Sequence, residues 1–219
     1  FDMIDFAPCP ANPFLADIPL VWAANRGKTM TDAQMTARAA THADIADVHR
    51  ELMDLIDSMP YYGERFKAFE KARFNRTFLR TLLEVDPWHI LLLEMDGKTG
   101  GFLISGPANG TIFQFWSAIY PDYRGTPLGR FGMEAFISHW DNSRFHKAST
   151  YTRPDNRPAL VLLKRYGYAQ VAHLEDHIFG EDYFVMERKF TKVTEGYDDG
   201  ISLPLATRLK LKARALLDR

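Results

Sequence analysis

The sequence predicts an α+β domain in which helices flank a mixed, mostly antiparallel central sheet. Apolar residues switch between the period of strands and the period of helices, so that the elements follow one another as β-α-α-β-β-β-α-β-α-β-β. Two turn signals, Asp96-Gly97 and Asn109-Gly110, join three consecutive strands as hairpins. Three antiparallel strands followed by strands that alternate with helices indicate a mixed sheet.

The predicted elements occupy residues 35–190. After a first strand, Thr41 and Asp44 indicate a capping-box-like start for a helix that Pro60 ends. A second helix is expected in one piece from about Glu64 to Glu84. Its inward face is expected to carry Phe66, Phe69, Phe74, Phe78 and Leu82. Further strands are expected at 88–95, 101–105, 111–120, 146–152, 168–174 and 183–190, with helices over 130–140 and 156–167.

Three segments lie outside this domain. Residues 1–34 lack a sustained period and are interpreted as an irregular extension, with a disordered arm as the alternative. Residues 191–202 form a polar linker. Residues 203–219 have a leucine stripe with basic residues elsewhere, which predicts an amphipathic helix. We expect it to pack on its own domain or on a second subunit in a homodimer, with a membrane surface as the alternative.

The composition favours one globular domain. The chain has 219 residues, a formal net charge of −1 and 46% apolar residues, enough for a sizeable core. Near-neutral charge gives no reason to expect a nucleic-acid partner. Cys9 is the only cysteine, which excludes an internal disulfide and a cysteine-based metal site. No apolar run reaches the roughly 20 residues of a membrane-spanning helix, so we expect a cytoplasmic protein, while a removed targeting segment stays open.

The stretch from Thr111 to Trp140 contains a strand, a short glycine loop and a helix in immediate succession. The loop holds Arg124, Gly125 and Gly129. Backbone N–H groups at the start of a helix point at one spot, where the helix dipole adds partial positive charge. The stretch therefore predicts an anion site, and an ordinary tight turn is the alternative.

Two motifs in this order resemble those of the GNAT acyltransferase superfamily. They are I-Y-P-D-Y-R-G-T-P-L-G at 119–129 and N-R-P-A-L-V-L-L-K-R-Y-G-Y at 156–168, and the resemblance extends from Met35 to Phe190. It implies acyl transfer to an amine from acetyl-CoA or another acyl thioester, without a metal. It also implies that the backbone N–H of Ile119 polarises the thioester carbonyl. The cofactor contacts that it implies are Ile119, Tyr120, Arg124, Gly125, Thr126, Leu128, Gly129, Arg130 and Asn156.

The chain departs from the pattern of that superfamily at three positions. Pro127 stands where a glycine N–H would contact a phosphate. Leu163 stands where a tyrosine would protonate the thiolate, so Tyr166 becomes a candidate acid. Trp116 stands where a glutamate would act as base. Among the remaining carboxylates and histidines we select Glu94 as the base, with the alternatives His89, His173, Glu175, Asp176, His177 and Asp182.

The acceptor end of the site is less well defined by sequence. The resemblance implies that the loop between the first two helices lines the acceptor site, so Tyr61 and Tyr62 are expected to contact substrate; covering the core edge is the alternative. His173 and His177 are not expected to bind a metal, because their segment is interpreted as a strand end and loop rather than as a helix.

Three functions therefore remain open. The first is an N-acetyltransferase that moves acetyl from acetyl-CoA to a small-molecule amine or amino sugar. The second takes a longer acyl chain from acyl carrier protein, as in N-acyl amino acid synthases, and would bind the carrier with the basic residues between Arg65 and Arg80. A solvated helix face is the alternative for those residues. The third is a non-catalytic CoA-binding domain.

Overall fold

The computed structural model describes residues 33–143, 145–193, 195 and 205–217. The predicted extension at 1–34, with Cys9, therefore lies almost wholly outside the described residues, as does most of the predicted linker at 191–202. Within the described residues, no helix has both the length and the apolar character that crossing a membrane requires.

The elements follow the predicted order with one additional helix and two very short strands. The strands are β1 Met35–Ala39, β2 Ile90–Met95, β3 Lys98–Ala108, β4 Thr111–Ile119, β5 Asn142–Ser143, β6 Lys147–Thr152, β7 Ala169–Ile178, β8 Glu181–Lys189 and β9 Lys192–Val193. The helices are α1 Ile45–Ser58, α2 Glu64–Arg73, α3 Arg76–Val85, α4 Leu128–Trp140, α5 Arg157–Arg165 and α6 Leu205–Leu217, with 3₁₀ turns at Pro87–His89 and Pro121–Tyr123.

Seven strands form one sheet in the order β1-β2-β3-β4-β6-β8-β7. Every neighbouring pair is antiparallel except β4 and β6, which are parallel. Strands β5 and β9 form a separate two-stranded pair. The predicted α+β class with a mixed, mostly antiparallel sheet is thereby confirmed.

Both predicted hairpin turns are confirmed. Asp96 and Gly97 have φ angles of 53° and 75°, and Asn109 and Gly110 have φ angles of 52° and 78°. Two consecutive residues with positive φ form the turn whose twist matches that of the flanking strands, and Asn-Gly and Asp-Gly tolerate this conformation best. These two turns fix β2, β3 and β4 side by side.

The sheet separates two apolar clusters. One contains the inward faces of α1 and α3, with Leu52, Ile56 and Leu79 fully buried against the sheet. The other contains α4 and α5, with Leu128 and Phe136 buried on the opposite face. Burial on both faces agrees with the continuous apolar pattern of β2.

Helix α6 packs on its own domain, since Lys210 donates to Glu84 of α3 at 2.8 Å and Leu211 is buried.

The single helix expected over Glu64–Glu84 is wrong, because the chain forms α2 and α3 with a break at Phe74 and Asn75. The Asn75 carboxamide oxygen accepts from the Phe78 N–H at 3.0 Å and so begins a new helix. The change of axis leaves Phe74 fully buried, whereas Phe69, expected inward, is 51% exposed. A side chain that caps the backbone therefore overrides a continuous apolar period.

Several strand limits also differ from the expectation. Strand β2 starts at Ile90 because the Asp86 carboxylate accepts from the Trp88 N–H at 2.9 Å and caps a 3₁₀ turn. Strand β7 runs to Ile178, so the segment that was expected to end in a loop belongs to an edge strand.

The start of α1 supplies a test of stability. The Asp44 carboxylate accepts from the Thr41 N–H and hydroxyl at 2.7 Å each and from the Arg38 guanidinium at 2.9 Å. These bonds hold the pKa of Asp44 well below its usual range, the Arg38 bond being the largest cause. Asp44→Asn should therefore lower the free energy of unfolding at pH 7 by about 1–2 kcal/mol, as measured by urea denaturation.

The pH dependence follows from the direction of that shift. Because the folded pKa lies below the unfolded value of about 3.9, the stabilisation is present above that value and is lost as the pH falls towards the folded pKa. The difference between wild type and Asp44→Asn should thus shrink between pH 7 and pH 3. Asp47→Asn, an exposed change in the same helix, is the control, and an equal difference at both pH values would contradict the assignment.

Candidate functional site

Strand β4 contains a bulge in the middle of the sheet. Across β3, Ile104 pairs with Trp116 but Ser105 pairs with Gln114, so Phe115 is an extra residue. A bulge of this kind bends the strand and shifts the alternation of its side chains. As a result, Phe115 and Trp116 both pack against the α1 and α3 cluster.

Strands β4 and β6 separate beyond the bulge. Their parallel pairing is confined to Ile112 with Ala148 and Phe113 with Ser149. On the other side of β4, the Tyr120 N–H donates to the Gly100 carbonyl at 2.9 Å. Since hydrogen bonds alternate along an antiparallel pair, the N–H of the preceding residue, Ile119, points away from β3 and into the gap.

A cavity of about 670 Å³ occupies this gap and is called the splay cavity below. Its lining brings together eight residues that the sequence singled out: Tyr61, Tyr62, Trp116, Ile119, Arg124, Gly129, Asn156 and Leu163. The other predicted cofactor contacts, Tyr120, Gly125, Thr126, Leu128 and Arg130, lie in or beside the loop at its edge, and Leu128 is fully buried.

The loop before α4 has few free donors. The Thr126 hydroxyl accepts from the Leu128 N–H at 3.3 Å, and the carbonyl of Pro127 accepts from the N–H of Arg130 at 3.0 Å. Pro127 itself has no N–H. Within the described residues, the N–H groups of Gly125 and Gly129 have no protein acceptor. They are the donors that an anion at this helix start would use.

Asn156 caps α5 as predicted, because its side-chain oxygen accepts from the Ala159 N–H at 3.3 Å. The Asn156 side chain is also a neighbour of the Tyr62 hydroxyl in the lining of the splay cavity. Burial raises the pKa of Tyr62 to about 12, and the contact with Asn156 opposes this shift. The Tyr62 ring stacks on Phe66 at 4.6 Å and meets Trp116 edge-on at 5.6 Å. Tyr62 therefore forms a wall of the site as well as a cover of the core.

The candidate acid Tyr166 is held at the outer face of α4. Its hydroxyl donates to Glu134 Oε1 at 3.0 Å and lies 3.1 Å from the Arg130 carbonyl. Burial and the Glu134 carboxylate raise its pKa. Tyr166 is not among the residues that line the splay cavity, whereas Leu163, at the position of the expected tyrosine, is.

The candidate base Glu94 is bound within the β1 and β2 pair. Its carboxylate accepts from Arg38 Nε at 2.7 Å and from the Thr36 hydroxyl at 3.0 Å, and it does not line the splay cavity. His89 is 1% exposed and stacks on Trp140 at 5.2 Å. His173 lies 3.3 Å from Asp182 across two strands. Among the described residues, no three histidine, cysteine or acidic side chains gather as a metal ion requires.

A buried carboxylate that the sequence reasoning did not select lies beside Trp116. The indole Nε1–H of Trp116 donates to Glu70 Oε2 at 2.7 Å, and Glu70 is 6% exposed. Burial raises the pKa of Glu70, and the hydrogen bond from Trp116 and the positive charge of Arg73 oppose this shift. The signal was available, because Glu70 lies four residues after Phe66 and four before Phe74, on the apolar stripe of its helix.

Glu70 lines a second cavity of about 660 Å³, called the aromatic cavity below. The two cavities share Tyr62, Phe115, Trp116, Thr150 and Tyr151, so they adjoin across β4 and β6. The site therefore has two compartments, one beside the loop of α4 and one beside α2.

Four of the basic residues between Arg65 and Arg80 contact carboxylates or aromatic rings within the chain. Lys71 pairs with Asp57 at 2.6 Å, and Lys67 pairs with Glu64 at 3.1 Å. The Arg65 guanidinium lies over the ring of Phe179 at 5.2 Å. Arg73 is 3.5 Å from Glu70 and lies over three aromatic rings. Each of these four side chains is thus paired with a carboxylate or packed on an aromatic ring of the same chain.

No protein-family model matches the sequence, and no curated protein matches it. Solved structures do match the fold. Ard1 from Thermoplasma volcanium is 21% identical over 74% of this chain and 99% of its own, with a TM-score of 0.56. A GNAT-family acetyltransferase from Bacillus cereus is 14% identical over 74% and 99%, with the same TM-score. PaiA N-acetyltransferase from Thermoplasma acidophilum, in complex with coenzyme A, is 13% identical over 72% and 99%, with a TM-score of 0.55. The chain has the fold of the GNAT acetyltransferases.

The Trp116 and Glu70 contact can be tested by a double-mutant cycle. Trp116→Phe should lower the free energy of unfolding at pH 7 by about 1–3 kcal/mol beyond the loss of ring volume, since a buried carboxylate loses its donor. In a Glu70→Gln background that extra loss should be smaller, because a neutral amide costs less to bury. Urea denaturation of all four proteins measures the coupling, and strictly additive effects would contradict it.

Proposed function

We propose that this chain is an N-acyltransferase that moves an acetyl group directly from acetyl-CoA to a primary amine. The observation that carries the proposal is the gap between β4 and β6, which has a helix start with two unpaired glycine N–H groups at one end. An extended ligand with amides along its length and phosphates at one end, as in CoA, fits those backbone groups. The fold shared with PaiA, a protein in complex with coenzyme A, supports the same ligand.

The residues around the splay cavity divide between holding the donor and assisting the reaction. Arg124 and the N–H groups of Gly125 and Gly129 would hold the phosphates, and Asn156 would flank the pantetheine. The N–H of Ile119 would donate to the thioester oxygen as negative charge develops on it, and a preorganised donor of this kind contributes strongly to acyl transfer. The amine nitrogen attacks the carbonyl carbon, and the C–S bond breaks.

Free acetyl-CoA is favoured over a carrier protein as donor. A carrier would need an accessible basic surface, and the pairing of Lys67, Lys71 and Arg73 within the chain removes much of that surface. A cytoplasmic location, where such a donor is available, and a homodimer remain predictions. The exposed Leu205, Leu209 and Leu216 of α6 form the apolar surface that such a dimer would bury.

Arg124→Ala should test the donor site. CoA should raise the melting temperature of the wild type, and the variant should bind CoA about tenfold more weakly, since one charge-assisted hydrogen bond is lost. Thermal shift over a CoA titration measures this, and thiol release from acetyl-CoA reports transfer. Arg50→Ala, an exposed arginine paired on α1, is the control. Equal melting curves with and without millimolar CoA would rule out a CoA donor.

The variant Arg76→Glu should distinguish free acetyl-CoA from acylated carrier protein as the acyl donor. Arg76 is exposed at the start of α3, where a carboxylate suits the helix dipole, so folding should be preserved. The KM for acetyl-CoA and its salt dependence should be unchanged. A steep rise in KM with acylated carrier protein, together with slow turnover of acetyl-CoA, would instead favour the carrier as donor.

A further inference from the structure

The aromatic cavity combines an apolar wall with one buried carboxylate. Six of its rings are Phe66 and Phe69 of α2, Phe113 and Phe115 of β4, Tyr183 of β8, and Phe179 in the turn before β8. At its mouth Phe69 is 51%, Phe179 41% and Tyr151 38% exposed. Large exposed apolar side chains gathered around a cavity mark a binding site for an apolar group.

Glu70 retains hydrogen-bonding capacity inside this cavity. Its Oε2 accepts from Trp116 at 2.7 Å, but Oε1 is 3.5 Å from the Arg73 guanidinium, too far for a strong bond. A carboxylate can accept about four hydrogen bonds, and a buried one is unfavourable unless it is well paired. Arg73 is itself held over the Phe115 ring at 4.8 Å. A donor-rich cation entering the cavity would complete the pairing.

We propose that the aromatic cavity is the acceptor site for a primary amine carried on an aromatic or similarly apolar body, and that Glu70 binds its ammonium group and takes its proton. The proposal deepens the N-acyltransferase function and rests on it for the donor. The shared wall of Tyr62, Trp116 and Thr150 places the carboxylate next to the splay cavity, where the thioester would lie.

The reaction requires two proton transfers. The ammonium gives one proton to the Glu70 carboxylate, which frees the nitrogen lone pair to attack the thioester carbonyl carbon. As the C–S bond breaks, the second proton passes from the acylated nitrogen to the leaving thiolate. Glu70 then releases its proton to water. R–NH₃⁺ and acetyl-CoA thus yield R–NH–COCH₃, CoA thiol and one proton.

The apolar wall also sets specificity against polar acceptors. An amino sugar in this cavity would lose the hydrogen bonds that its hydroxyl groups make with water, because aromatic rings supply few partners. An apolar amine loses nothing comparable and gains the burial of its body. The amino sugar among the acceptors expected from sequence is therefore the less favoured class.

The test measures binding of acceptors without a donor. Isothermal titration compares 2-phenylethylamine with 2-phenylethanol, which lacks the ammonium group, and with glucosamine. Phenylethylamine should bind the wild type about tenfold tighter than either. Glu70→Gln should weaken phenylethylamine about tenfold and leave phenylethanol unchanged, since the amide oxygen can still accept from Trp116. Glu64→Gln, an exposed change in the same helix, should alter neither.

Parallel melting curves with CoA separate this inference from the function on which it rests. If CoA binds but phenylethylamine binds no better than phenylethanol, or glucosamine binds best, the acceptor proposal is overturned and the donor site stands. If phenylethylamine binds as expected but CoA does not, the acyltransferase function fails while the amine site stands. With both ligands bound, Glu70→Gln should lower kcat/KM for phenylethylamine at least tenfold, and an unchanged value would remove Glu70 from the reaction.

Discussion

The early separation of β4 from β6 is the constraint on which the rest of the structure depends. Only two residue pairs join the strands, so the backbone groups beyond Phe113 face a gap instead of a neighbour. Buried backbone groups need partners, and the protein supplies one where the Thr150 hydroxyl donates to the Gln114 carbonyl at 2.9 Å. A ligand with its own amides can supply the others. The gap is thus both an interruption of the sheet and a template for an extended ligand.

The Trp116 and Glu70 pair brings a carboxylate from α2 against the central strand. Trp116 fills volume beside the α1 and α3 cluster, while its indole N–H fixes a carboxylate from α2. A buried acid is usually less favourable than an apolar residue of the same volume, so its presence in a wall of aromatic rings requires a reason other than stability. A carboxylate that lines a cavity and can accept further hydrogen bonds has such a reason, because it can bind a ligand there.

Local signals explain what the sequence could predict. The two hairpins depend on adjacent residues that tolerate positive φ, and the α5 start depends on one asparagine side chain. The loop before α4 was likewise visible as a short motif. The break at Asn75 was missed because apolar spacing continues across it. Glu70 was missed although it shares the four-residue spacing of Phe66 and Phe74, because its helix otherwise has a charged surface pattern and its partner Trp116 lies 46 residues away.

The direction in which the Tyr166 side chain points could not be predicted from the sequence, because its place on an apolar stripe does not say whether it faces the cavity. The hydrogen bond from its hydroxyl to Glu134 holds it against α4.

Because position 163 is a leucine, no phenol is available there to protonate the departing thiolate. Tyr62 is the nearest substitute in the wall, but its pKa is raised to about 12 by burial. A phenol whose pKa is raised above its ordinary value of about 10 is a weaker acid than a thiol, whose pKa is about 8.5, so Tyr62 is poorly suited to protonate the thiolate. The acylated nitrogen, still protonated before the C–S bond breaks, is a far stronger acid and is already in contact with the reacting centre. With Glu70 accepting the first proton and the thiolate the second, the reaction needs no phenol, and the departure at Leu163 is compatible with catalysis.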